Sequence, residues 1–446
     1  MKRPLSVLLI SLLSASAWGA DLMSVYRDAL EHDARFAAAK AQRDAGQEKS
    51  IQGRAGLLPT FGLTAGTTWN DNTYAGGDRI LIGGSKSESI AFNNNSYGAQ
   101  LRQPLFNRAI WMQYEQGKLQ TTLSDTEFVL AHQDLILRVS EAYFAVLNAQ
   151  DAAEALRALR TAATQQLELA KKSFEVGTVT VTDVHEAQSR FDLASARLIA
   201  AENALEVARQ SLAQIVGKEP EGVAGLRAGA ELGRPQPDDM RQWVSAAEHD
   251  SFGVQIQQIA TQIASREVAR NESGHLPTVD IVARYNQANA EASGFGGGRS
   301  ENTFRTIGLE LNVPLYQGGV VTSRTREAAA LLTKSEADLD DARRSAALAA
   351  RQAYLGVTSG LAQIKALEAA EVSSRSALDA NRLGYEVGVR INIDVLNAQS
   401  QLADTQQQLA KARYDTLIAQ LRLSAAAGTL GEEDVARLNA LLTGAP

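Results

Sequence analysis

The chain has 446 residues, 45% of them hydrophobic and 21% charged, with a formal net charge of −7 and no cysteine. That length allows two or three ordinary domains or one large repetitive one. The missing thiols exclude disulfide scaffolds, thiolate metal sites, cysteine nucleophiles and a lipidated N-terminal cysteine, and an acidic balance makes nucleic acid an unexpected partner.

Residues 1–20, MKRPLSVLLISLLSASAWGA, read as a secretory signal peptide. Lys2 and Arg3 form its positive region, Leu5 to Leu13 its apolar core, and small residues offer cleavage within 17–20. The apolar run is too short to span a bilayer as an anchor, and no later run approaches about 18 residues. An exported chain of this kind can cross a membrane only with strands.

After the leader the chain is written twice. SFEVGTVTVTDVHEAQ (173–188) returns as GYEVGVRINIDVLNAQ (384–399), and an ungapped alignment from Ser173–Gly217 onto the segment ending at Gly428 keeps 13 of 45 residues identical. Upstream, Leu58-Pro-Thr60 answers Leu276-Pro-Thr278, and Glu31-His-Asp33 answers Glu248-His-Asp250. The first repeat is expected over 21–220, a Gly- and Pro-rich linker over 221–237, the second repeat over 238–430, and a tail over 431–446.

Each repeat reads helix, two strands, long helix, turn, helix. The first helix is expected near 22–56 and its counterpart near 239–272. Residues 118–176 and 322–386 run without proline, and at about 1.5 Å per residue each would span roughly 90–100 Å. Beyond the repeated turns, helices are expected at 182–216 and 393–427. Val184, Ala187, Phe191, Ala194, Leu198, Ala201, Leu205, Ala208, Leu212 and Ile215 step alternately by three and four, and Val395 to Ala426 repeat the pattern. Sustained heptads of this kind predict a left-handed coiled coil.

Between the helices the period changes to two. Phe61, Leu63, Ala65 and Trp69 alternate with small or polar residues, as do Tyr97, Ala99, Leu101 and Leu105. In the second repeat Val279, Ile281, Ala283 and Tyr285 alternate, although Val282 breaks the pattern, and so do Ile307, Leu309, Leu311 and Val313. Runs near ten residues suit tilted bilayer-spanning strands. On strands alone, a soluble antiparallel sheet with one wet face has the same alternation; the leader and the absent helical span favour the membrane. Barrel segments are expected at about 58–107 and 276–316, with polar loops at 71–89 and 288–301 on the outer face. Four strands cannot close a barrel, so the chain must oligomerise. A dimer would give eight strands and a filled interior, whereas a trimer would give twelve and a lumen.

The two Leu-Pro-Thr corners, the repeated turn and the closing AAAGTLGEEDVARLNALL resemble the TolC-like outer-membrane channel-tunnel family over essentially the whole mature chain. The fold class implied is mainly α with transmembrane β: a duplicated outer membrane factor fold, forming a homotrimeric twelve-stranded β-barrel plus a long coiled-coil α-barrel. The function implied is the outer-membrane exit duct of a tripartite exporter, for type I protein secretion, drug efflux or both. It would dock to a periplasmic adaptor and an inner-membrane ABC or proton-driven transporter. The alternative is a non-conducting periplasmic coiled-coil spacer anchored in the outer membrane.

The same resemblance implies a periplasmic gate at the repeated turns. By it, the Tyr385 hydroxyl bonds Asp183, and Arg390 contacts Thr182 and Asp183. Copy one has Phe174 and Val179 in place of Tyr385 and Arg390. Asp394 and Asn397 fall at the positions of two inward acidic rings, so one ring per trimer is expected here instead of two, and weaker cation preference. Gly177 and Gly388 are assigned to the turns.

No other chemistry is expected. The five histidines show no metal spacing. The duplicated Glu-His-Asp triplet puts its acid and base on different sides of a helix, GGSKS at 83–87 lacks the order of a phosphate loop, and GFGGGR at 294–299 opens no helix. Neither an enzyme nor a cofactor is implied.

Overall fold

The computed structural model describes residues 20–75, 87–219, 222–227, 229–290 and 299–443. The signal-peptide expectation thus falls, but for Ala20, outside the described residues, as do the tips of the two predicted polar loops. Contacts divide the chain into two units, one of Met1–Ala41, Phe128–Gln255 and Ala342–Pro446, the other of Gln42–Glu127 and Ile256–Asp341.

The helices are α1 (Leu22–His32), α2 (Ala34–Ala55), α3 (Arg108–Glu175), α4 (Val181–Val216), α5 (Met240–Asp250), α6 (Phe252–Glu272), α7 (Val320–Glu386), α8 (Asn392–Ala426) and α9 (Glu432–Asn439). None is long and apolar enough to cross a membrane, among the described residues. The long helices reach further towards their N-termini than expected, with 68 residues in α3 and 67 in α7.

Two of the expected helices are each broken in two. The 22–56 reading splits at Asp33, whose backbone is extended and whose carboxylate accepts from the Phe36 amide at 2.7 Å. A side chain in that role starts a new helix. The 239–272 reading splits at the extended Ser251. Both breaks fall at the end of the duplicated Glu-His-Asp triplets, and both imidazoles turn back on their own helix, His32 Nδ1 lying 2.9 Å from the Asp28 carbonyl and His249 Nδ1 2.9 Å from that of Ser245. The triplets mark bends.

In the first unit, one core joins Leu22, Val25 and Tyr26 of α1, Leu135, Ile136, Tyr143, Phe144 and Leu147 of α3, Leu212 of α4, Leu417 and Leu421 of α8, and Val435 and Leu438 of α9. The predicted tail therefore contains a helix. Its Asn439 accepts from the Met23 amide at 3.2 Å and donates to Asp21 at 2.9 Å. The predicted linker is sewn in as well. Val223 bridges Ala20, Leu226 bridges Leu442, and the buried Tyr143 hydroxyl donates to the Ala224 carbonyl at 2.7 Å. Burial pushes that phenol well above its ordinary pKa, so it stays a donor across the physiological range.

Arg138 grips Asp33 with two nitrogens at 2.9 and 3.0 Å. Hydrogen bonding from Arg138 holds the Asp33 carboxyl below the usual carboxylate range, against its burial.

In the second unit, the paired helix stretches approach through glycine. A side-chain carbon on Gly117 of α3 would lie 2.5 Å from the Lys49 carbonyl oxygen of α2, so only glycine permits the spacing. Gln116 of α3 donates to Glu267 of α6 at 2.9 Å, and Thr261 of α6 meets Ser335 of α7 at 3.1 Å. The strands are β1 (Thr60–Ala75), β2 (Ser87–Phe106), β3 (Thr278–Ala290) and β4 (Ser300–Asn312), in a single antiparallel sheet ordered β1-β2-β3-β4. β1 and β3 begin directly after Pro59 and Pro277, which cannot continue a helix. The strands run further into the predicted loops than expected. The ladder continues through Thr73, Tyr74 and Ala75 opposite Ser87 to Ser89, because backbone pairing persists where the side-chain pattern has turned polar.

Candidate functional site

Two places carry the features that bear on function, the sheet and the turns joining α3 to α4 and α7 to α8. In the sheet, cross-strand register sorts side chains into rows. Phe61, Leu101, Ala283 and Ile307 form one row across all four strands, and Leu63, Ala99, Tyr285 and Arg305 the next. Ile281 with Leu309 and Val279 with Leu311 continue the same face. Phe61, Leu63, Ile307 and Leu309 are exposed, although they are large and apolar. A soluble protein would not leave that face bare.

The other face is mostly small, polar or charged, with Phe304 a large apolar exception on β4. Gly62, Thr64, Gly66 and Thr68 line it on β1. Arg102 pairs with Asp280 at 2.7 Å and Arg284 with Glu310 at 2.9 Å, each bridging adjacent strands. Val282, the residue that breaks the alternation, lies on this face and is buried. Strand β1 pairs only with β2 and β4 only with β3, so the outer edges of both carry unpaired backbone groups among the described residues. In hydrocarbon such edges cost several kcal/mol per group.

The repeated turns are two copies of one helix-stop. Gly177 and Gly388 sit at φ +77° and +79°. The Gly177 amide bonds the Phe174 carbonyl and Thr178 the Ser173 carbonyl; Gly388 bonds Tyr385, and Val389 bonds Gly384. This is the glycine-capped end in which left-handed backbone satisfies the last carbonyls.

Past the glycine, the two copies differ. In copy one, Thr180 caps α4, its hydroxyl accepting from the Asp183 amide, while Asp183 Oδ2 accepts from both the Thr180 amide and its hydroxyl at 2.8 Å. In copy two, Ile391 stands at the cap and offers no side-chain bond. Asp394, the equivalent of Asp183, lies 3.6 Å from Arg390 instead.

The expected gate contacts are therefore not formed within the chain. Tyr385 does not bond Asp183; it is half-buried against Leu378, Val395, Ala398 and Leu402 of its own hairpin. Arg390 turns to Asp394, and Thr182 is exposed in the first turn of α4. The physical reason is proximity: a threonine three residues away satisfies Asp183 with little ordering entropy, whereas the distant tyrosine and arginine must be brought to it. Asn397 makes a contact that was not anticipated, accepting from Arg190 of α4 at 2.9 Å. Arg190 was legible only as one more charge on a solvated face.

Away from the turns, the heptad residues of α4 are used as the spacing predicts. Ala187, Ala194 and Leu198 are buried with Leu156, Leu159, Ala163 and Leu167 of α3, and with Leu396 and Ala403 of α8. Val395, Leu402 and Leu409 of α8 are buried against α7. Higher in α8, Tyr414 stacks on Phe144 at 5.7 Å and donates to Asp151 at 2.6 Å. Burial pushes the Asp151 carboxyl above the carboxylate range, against that hydrogen bond. Among the described residues no cluster could hold a metal ion.

Two stretches of the chain, residues 25–218 and 243–429, each match the outer membrane efflux protein family. The chain belongs to that family. The two matched stretches overlap the expected repeats at 21–220 and 238–430. The chain is 34% identical to the outer membrane protein TolC of Vibrio cholerae over 96% of its length and 95% of the relative's. It is 32% identical to the proteases secretion protein PrtF of Dickeya chrysanthemi, over 100% of its length and 96% of the relative's. The fold matches the crystal structure of the Campylobacter jejuni CmeC outer membrane channel with a TM-score of 0.77 at 15% identity, covering 100% of this chain and 98% of that one. An outer membrane efflux protein of this kind is a channel and not an enzyme, placed in the outer membrane with a periplasmic extension. TolC-like channels work within tripartite export systems, with adaptor and transporter partners.

Proposed function

We propose that this efflux-family chain forms, as a homotrimer, the passive exit duct of a tripartite exporter, serving type I protein secretion, drug efflux or both. The observation that carries the reading is the sheet: four strands with one mainly apolar and one mainly polar face, and unpaired edges at β1 and β4. Joining β4 of one subunit to β1 of the next satisfies those edges, and three subunits give twelve strands around a lumen. The charged face with Arg102, Asp280, Arg284 and Glu310 then lines the water path. Relatives named for protease secretion and for efflux support the two cargo classes. The partners would be a periplasmic adaptor and an inner-membrane ABC or proton-driven transporter, which open the duct at its periplasmic tip.

The tip would be formed by the Gly177 and Gly388 turns, with Thr182, Asp183, Tyr385 and Arg390 as its polar contacts and Asp394 and Asn397 at the constriction. Within one chain Asp183 and Arg390 have local partners, so closing and opening exchange one set of modest polar contacts for another.

The test is purification in mild detergent followed by reconstitution in planar bilayers. A trimeric particle with low basal conductance, raised severalfold by Asp183→Ala or Arg390→Ser, is the expected result. A folded monomer, or a trimer that never conducts, would overturn the duct and favour a non-conducting coiled-coil spacer.

A further inference from the structure

The contact between Arg190 and Asn397 has a counterpart one heptad further along. Arg197, seven residues after Arg190, reaches Asp404, seven residues after Asn397, at 3.7 Å. The rungs occur in the same order on both helices, so α4 and α8 run side by side in the same direction. They flank the apolar seam in which Ala187, Ala194 and Leu198 of α4 meet Leu396 and Ala403 of α8. At the next heptad the pair would be Ala204 and Lys411, and the series stops. The two rungs thus occupy the end of α4 and α8 nearest the repeated turns.

The rungs are unequal. The upper one joins a guanidinium to a carboxylate; the lower one, nearer the turns, joins a guanidinium to a neutral amide. The lower rung is a charge-assisted hydrogen bond at 2.9 Å without the full Coulomb attraction of an ion pair, and the upper is an ion pair at 3.7 Å, beyond hydrogen-bond reach. Both rungs are solvent-exposed, so both are of the kind that water can replace at modest cost.

We propose that Arg190 and Arg197 form a two-rung tether between the first and second hairpins, and that its neutral lower rung sets how readily the hairpins separate at the tip. This rests on the tip being the gate. Separation begins at the Arg190–Asn397 rung, because it is the nearer to the turns, and must then pass the Arg197–Asp404 pair one heptad higher. Asn397 then acts as a tuning position: an acidic residue there would convert the lower rung to an ion pair and stiffen the closed state.

The test is single-channel conductance of the full trimer in planar bilayers at 0.1 and 1 M KCl, for wild type, Arg190→Ala, Asn397→Asp and the double variant. Arg190→Ala is expected to raise basal conductance severalfold. Asn397→Asp is expected to lower it below wild type at 0.1 M KCl and to return towards wild type at 1 M, where screening weakens the new pair. In the Arg190→Ala background Asn397→Asp should no longer lower conductance, since its partner is gone. Arg190→Gln serves as the second variant should the alanine protein fail to assemble, with the same expected direction.

Wild-type conductance in the Arg190 variants, or an Asn397→Asp effect of equal size with and without Arg190, overturns the tether. Asp183→Ala and Arg390→Ser run alongside separate the two levels. If they open the channel and the Arg190 variants do not, the tether falls and the tip gate stands; if none of them opens it, the gate falls and the tether with it.

Discussion

Ile307 and Phe304 offer a direct test of which face of the sheet meets lipid. Both are large and apolar, both lie on β4, and both are exposed in the single chain, at 81% and 60%. They point to opposite faces. Ile307 sits mid-way along the apolar face, in the row with Phe61, Leu101 and Ala283, while Phe304 shares its face with Asn286 and Arg284. Lysine at the bilayer midplane of a barrel costs about 2–4 kcal/mol, and removing a covered isoleucine adds about 1.5–3 kcal/mol. Ile307→Lys should therefore lose roughly 4 kcal/mol per chain or more, close to a thousandfold in folding equilibrium, with one copy in every subunit. Phe304→Lys should lose less than about 1 kcal/mol, because the lysine projects into water. The assay is folding of urea-denatured protein into lipid vesicles, read by the shift of heat-stable trimer on gels. Equal damage from the two substitutions, or normal assembly of Ile307→Lys, would refute the facing of the sheet and the barrel built from it.

The helices and their turns give two more expected outcomes. Asp33→Asn keeps a competent helix cap but removes the charge gripped by Arg138, and should cost roughly 2–3 kcal/mol at pH 7 in urea unfolding, since Arg138 retains Asp134 at 2.6 Å. Because the folded carboxyl titrates below its ordinary range of about 3.9, its contribution is present above that pH and fades as pH falls through the lower folded value; the gap between wild type and variant should close below about pH 4. A gap that persists unchanged at pH 3 would show that the charge is not what matters. Gly177→Ala and Gly428→Ala place alanine at nearly the same backbone angles, φ +77° and +73°. A side-chain carbon at Gly177 meets nothing within 4 Å, whereas at Gly428 it would lie 2.4 Å from the Asp250 carbonyl oxygen. The first should cost about 1 kcal/mol, and the second at least twice that, in the same unfolding measurement; equal losses would mean that backbone angle alone is felt.

Much of this protein was determined by pattern alone. The heptads of α4 and α8, the proline-free runs of α3 and α7, the period of two in the strands and the glycines of the repeated turns each reflect a local or periodic constraint, and such constraints are written residue by residue. The duplication made them easier to read, since every element appears twice. Tertiary structure decided what depends on distant partners. Asp33 ends one helix and begins another by capping Phe36, and Arg138, 105 residues away, grips the same carboxylate; by pattern the stretch reads as one unbroken helix. The 221–237 stretch and the C-terminal segment look like linker and tail, yet Val223 and Leu442 are drawn into a core with α1 and α3. At the tip, the same aspartate in two copies takes different partners, Thr180 for Asp183 and Arg390 for Asp394, because the residue three positions before it differs. Arg190 found Asn397 across 207 residues of chain, and no spacing rule links positions on separate hairpins until the packing of α4 against α8 has set their register.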